Sequence, residues 1–146
     1  MKKIFITILV FITAILLSPK FIGGIVETEH QSGLDKLNEN PAIEIKSTTF
    51  TRHWFTGTAE TEITILLQNE GIDDITLVVE ESLLFGPIIL TNGGLAFALS
   101  HSQANINFKD LLIDEEIENF INDKVHLSAL LTFSKNIVAN IVVDEI

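Results

Sequence analysis

The sequence predicts an α+β fold: an N-terminal hydrophobic anchor helix, then a mainly antiparallel β-sheet accompanied by one or two amphipathic helices. Three observations predict it. A basic leader opens onto an uncharged apolar run; beyond Pro41 the apolar period changes from 3.6 residues to 2; and alternating segments come in pairs around short turn signals.

Met1-Lys2-Lys3 followed by residues 4–17, in which only Thr7 and Thr13 are polar, has the basic and hydrophobic regions of a secretory signal. Fourteen residues fall short of the ~20 that cross a bilayer core. Phe21, Ile22, Gly23, Gly24, Ile25 and Val26 lengthen the segment, so the anchor is read as residues 1–26, with Pro19 and Lys20 inside it near an interface. Ser18-Pro19-Lys20 offers no small-x-small cleavage site, which favours an uncleaved anchor over a cleaved, secreted form. The leader lysines put the N-terminus in the cytoplasm and residues 27–146 on the other side.

Val26, Glu29, His30, Gly33, Leu34 and Leu37 form a weak helical stripe, ended by Asn38-Glu39-Asn40-Pro41 because proline lacks the N–H that a helix interior needs. Ile43 and Ile45 open a first strand that continues to Phe50, although Ser47 weakens the isoleucine face. Residues 58–67 alternate most clearly: Ala59, Thr61, Ile63, Ile65 and Leu67 share a buried face, and Thr58, Glu60, Glu62 and Thr64 a wet one. Asn69-Glu70-Gly71 turns the chain into a returning strand of Ile75, Leu77 and Val79. Gly86-Pro87 and Asn92-Gly93-Gly94 are breaks, and Leu95, Phe97, Ile106 and Phe108 predict two further strands or one bent strand.

Asp114-Glu115-Glu116 caps a predicted helix carrying Ile117, Phe120 and Ile121, since acids complement the positive end of a helix dipole. The last hairpin pairs Val125, Leu127, Ala129 and Leu131 with Ile137, Ala139, Ile141 and Val143 around Ser134-Lys135-Asn136. Its final segment is expected to bury one face and to leave an edge open for a second copy, an envelope partner or a downstream portion of a longer chain.

Composition excludes several functions. Net charge is −11, and with Lys2, Lys3 and Lys20 assigned to the anchor, six basic residues face all twenty acids, a formal −14 for the exported part. Nucleic acid is excluded as a partner, because its binding needs clustered Lys and Arg. There is no cysteine, hence no thiolate nucleophile and no lipidated cysteine.

His30, His53, His101 and His126 show no zinc-like spacing, and no metal or cofactor is expected. Glu27 and His30, three apart, could share a helix face, which supports the alternative of a periplasmic enzyme using that pair. Glu80-Glu81 and Glu115-Glu116 are read as solvated. No nucleophile elbow, Walker-type loop or dinucleotide fingerprint occurs, so no catalytic residue is assigned.

Three pieces carry a resemblance. Gly24-Ile25-Val26-Glu27 opens a helix; Phe50-Thr51-Arg52-His53-Trp54-Phe55-Thr56-Gly57-Thr58-Ala59 leads into a strand; Phe85-Gly86-Pro87 follows. In that order they resemble the YdgA-type family of bacterial envelope proteins, known mainly as a domain of unknown function. His53 stands where that family has Gly, Thr56-Gly57 where it has Ser-Ser, and Phe85 where it has His. The resemblance implies a single-pass inner-membrane anchor, a β-rich periplasmic body of which this chain is the N-terminal portion, and no established activity. It marks Arg52, Trp54, Phe55, Gly86 and Pro87 as motif positions. Arg52 beside Trp54 and Phe55 is expected to stack on an aromatic face and pin the strand junction. The reading is a membrane-anchored envelope protein with a binding or structural role; a carrier of lipid or another apolar ligand is the alternative.

Overall fold

The computed structural model describes residues 2–67, 73–91, 93–109 and 125–143. Among them lie one helix, α1 (Lys2–Asn38), and eight strands: β1 (Ile43–Arg52), β2 (Thr56–Ile65), β3 (Ile75–Phe85), β4 (Ile88–Thr91), β5 (Gly94–Phe97), β6 (Ser100–Lys109), β7 (Val125–Leu131) and β8 (Ile137–Val143). The α+β expectation holds.

The apolar segment and the helix expected after it are one continuous α1 of 37 residues, with Pro19 inside. Proline cannot donate to the carbonyl four residues back, which leaves the Ile15 oxygen without its helical partner. The Ser18 hydroxyl donates to that oxygen at 2.8 Å, so the helix runs on. It ends where the sequence says. Asn38 and Asn40 turn the chain, their side-chain oxygens accepting from the Ile45 and Ala42 backbone N–H groups at 3.0 Å each.

Six described strands form one sheet in the order β1-β2-β3-β6-β7-β8, antiparallel throughout, and β4-β5 form a separate two-stranded ribbon. Both predicted hairpins are present, β2-β3 and β7-β8. Ala59 and Thr61 are buried and alternate with exposed Thr58 and Glu60 as expected. The alternation fails at Thr64, expected on the wet face but buried, where its hydroxyl meets that of Thr76 at 3.1 Å. The register of β1 shifts between Ile45 and Ser47. That extra residue rephases the strand, so Phe50 falls on the same face as Ile45 and joins the core despite Ser47.

The second half of α1 lies across this sheet. Ile22 and Val26 pack with Ala59, Leu83, Phe85, Leu99 and Leu131, and Phe50 closes the cluster. The cover stops near Leu131. All seven residues of β8 are exposed, which corrects the expected buried face: α1 packs on the sheet as far as Leu131 and leaves the β8 side chains open, Ile137 only edging the gap between helix and sheet.

At Gly86-Pro87, a cis peptide, the chain leaves the main sheet to form the ribbon, and Gly94 turns it at φ 109°. The ribbon buries Ile89 and exposes Ile88, Leu90, Leu95 and Phe97. The Asn69-Glu70-Gly71 turn, Asn92, the helix expected from Asp114 and the last acids Asp144 and Glu145 lie outside the described residues.

Candidate functional site: the juncture of helix and sheet

Two glycines on α1 set the site. A Cβ on Gly23 would lie 2.8 Å from Arg52 Cδ and 3.0 Å from the Phe85 ring, and one on Gly24 would lie 2.9 Å from Arg52 Nη1. Only hydrogen at these positions lets the helix sit this close to the end of β1. Arg52 then reaches over the helix, where its Nη1 meets Glu27 Oε2 at 3.1 Å. Both side chains are nearly half exposed, so the pair orients more than it stabilises.

The β1-β2 turn grips the helix one step further down. The Trp54 indole N–H donates to the Leu16 carbonyl at 2.9 Å, next to the carbonyl taken by Ser18. Lys20 Nζ stands 5.4 Å from the centre of the Trp54 ring. The cation over the aromatic face is thus Lys20 rather than Arg52, because Arg52 is drawn away to Glu27. Phe55 is tilted against Trp54, its centroid 6.5 Å away, and its carbonyl accepts from the Phe85 N–H at 2.8 Å.

Phe85 links this corner to the second motif. Its ring fills the space that a side chain on Gly57 would need, 2.7 Å from where that Cβ would be. Gly86 donates to the Leu99 carbonyl at 2.8 Å, and a Cβ there would fall 1.8 Å from the Ala98 oxygen. Arg52, Trp54, Phe55, Gly86 and Pro87, apart in sequence, therefore surround one end of the sheet where α1 leaves it.

Glu27 and His30 are not brought together. Glu27 pairs with Arg52, whereas His30 Nε2 contacts Glu81 Oε1 at 3.2 Å and its ring lies 5.4 Å from that of Phe50. Glu81, expected to be solvated, is instead partly buried against His30 of α1. Its place after Leu77 and Val79 in the same alternation, and before buried Leu83, was the signal available. Beside this pair a cavity of about 300 Å³ opens between α1 and the sheet, lined on its apolar side by Val26, Leu34, Leu37, Leu83, Leu131 and Ile137.

His53 is exposed in the β1-β2 turn. His101 and His126 face a different cavity of about 760 Å³ beneath the ribbon. Among the described residues no three His, Asp or Glu side chains form a group that could hold a metal ion.

A family model described as a bacterial protein of unknown function (DUF945) matches residues 1–144. The chain belongs to this family. The match covers nearly the whole DUF945 chain here, from the apolar helix through β8, so helix and sheet are parts of one family unit. No curated protein and no solved structure matches it.

Proposed function

We propose that this DUF945 protein is anchored in the bacterial inner membrane by residues 1–26, with residues 27–146 in the periplasm, and that its role there is binding or structural. The observation that carries the reading is the division of α1. Its first half is apolar and exposed, with Phe5 and Phe11 about two-thirds accessible, while Ile22 and Val26 in its second half are buried against the sheet. The helix is long and apolar enough to cross a membrane. An exposed apolar helix needs a non-aqueous medium, and the two lysines before it favour a cytoplasmic start. Alkaline phosphatase fused after Ile146 tests the topology: high activity is expected, and activity equal to a cytoplasmic control refutes it.

The cavity between α1 and the sheet favours a second reading, a carrier of a lipid or another apolar molecule, since its wall is mostly apolar, with Glu29, His30, Glu81, Ser100 and Ser102 as its polar members. Mass spectrometry of the protein extracted in a native state tests it, a co-purifying apolar compound being the expected sign. The enzyme alternative through Glu27 and His30 has less support, because each group is engaged by a different partner. Turnover lost in His30→Ala would restore it. Partners along the exposed β8 edge, a second copy or another envelope protein, belong to the same proposal.

A further inference from the structure

The anchor is short for its task. Residues 4–17 give a helix of about 21 Å, whereas the hydrocarbon core is about 30 Å thick. Counting ~20 residues from Ile4 brings the far boundary to Gly23, beyond Pro19 and Lys20. Trp54, bonded to the Leu16 carbonyl, then lies about 10 Å on the membrane side of Gly23. The β1-β2 turn therefore cannot stay in water if the anchor spans.

The side chains there suit that position. Phe21, Trp54 and Phe55 are 72%, 43% and 50% exposed, and the Trp54 indole N–H is already satisfied by a backbone oxygen. Ser18 and Trp54 occupy the Ile15 and Leu16 carbonyls where proline interrupts the helical ladder, which a lipid surface demands more than water does. Lys20 holds its ammonium over Trp54, within reach of phosphate headgroups.

Charge divides along the strands in the same sense. The near-end turns, 53–55, 86–87 and 132–136, contain no acid, whereas among the described residues Glu39, Glu44, Asp73 and Asp74 stand at the opposite end of the strands. An anionic membrane surface repels the second end and accepts the first.

We propose that the β1-β2 turn, through Trp54 and Phe55, is embedded in the interfacial layer of the lipid bilayer beside α1, so that the sheet is docked on the membrane and not tethered above it. This rests on the anchor reading and adds a second contact to it. Tryptophan is favoured at that depth because its ring is apolar with one polar edge.

Trp54 is the only tryptophan in the chain, so its fluorescence reports this site alone. The full chain is reconstituted in vesicles of equimolar phosphatidylcholine and phosphatidylglycerol, with brominated lipids as quenchers and iodide in the water. The expected result is co-flotation with the vesicles and a roughly two-fold loss of emission to bromines near the glycerol end, with little loss to iodide. Trp54→Phe combined with Phe55→Trp should give the same pattern, and Trp54→Phe combined with Pro41→Trp should read water. Flotation with full iodide quenching overturns the docking and leaves the anchor standing. Flotation with shielding from both quenchers also overturns it, since protein would then cover the turn. Failure to float overturns the anchor reading and the docking together.

Discussion

Trp54 donates its indole hydrogen to the main-chain oxygen of Leu16, 38 residues earlier in the chain. This bond joins a strand turn to the middle of a helix beside its proline, where the helix's own hydrogen-bond ladder is interrupted.

Trp54→Phe keeps an aromatic face for Lys20 but removes the donor. A loss of about 1 kcal/mol is expected, the usual net worth of one hydrogen bond. Thermal melts of the detergent-solubilised protein, followed by the β-sheet circular dichroism signal, check it; an unchanged midpoint would show that the indole bond contributes nothing.

Glycines on α1 should respond in opposite directions. Nothing lies within 4 Å of a Cβ on Gly33, so Gly33→Ala should stabilise by up to about 1 kcal/mol through helix propensity. Gly23→Val forces side-chain bulk against Arg52 and the buried Phe85 ring and should destabilise by about 2 kcal/mol. Urea unfolding midpoints in one detergent should move apart, and equal shifts of the same sign would refute the packing described.

Gly86→Ala meets backbone, which cannot swing aside as a side chain can. With the added methyl 1.8 Å from the Ala98 oxygen, a cost of about 3 kcal/mol is expected, with separation of the β4-β5 ribbon from the main sheet. Hydrogen exchange at the residue-86 and Ala98 amides, which donate to the Leu99 and Pro87 carbonyls, would rise. Protection at the level of the unmodified protein would contradict the close approach.

Along β8 the exposed edge is expected to associate. Ile141, 70% exposed, is the side chain to change: Ile141→Lys places a charge on the edge and should shift a dimer toward monomer in light scattering of the solubilised protein. A monomer at every concentration for the unmodified chain removes the basis for edge pairing.

Much of this architecture was legible in local patterns. The end of α1 at Asn38 followed from Asn-Glu-Asn-Pro, and the β2-β3 and β7-β8 pairs followed from alternation, since both are signals within a few residues. Phe50 was harder, because the register shift that turns it inward depends on pairing with β2. The exposure of β8 was not legible at all: Ile137, Ala139, Ile141 and Val143 have the pattern of a covered strand, and only the reach of α1 decides that they are bare. At the site the motif positions were visible in sequence, but their partners Leu16, Lys20 and Gly23 come from a distant stretch that reads as membrane anchor. Contacts of that kind carry no periodic trace.

α1 runs through Pro19 from its apolar half into the core of the sheet, and Ser18 and Trp54 brace the carbonyls beside that proline, so an anchor that spans as proposed would have little freedom to turn against the body. A bilayer that thins or thickens changes the inclination of a spanning helix, commonly about 20° from the normal. Rigidly fixed to it, a ten-residue strand about 33 Å long would carry its far end sideways by about 11 Å for such an inclination. The end of the body away from the membrane would thus move with the tilt of the proposed anchor, magnified by the length of the strands.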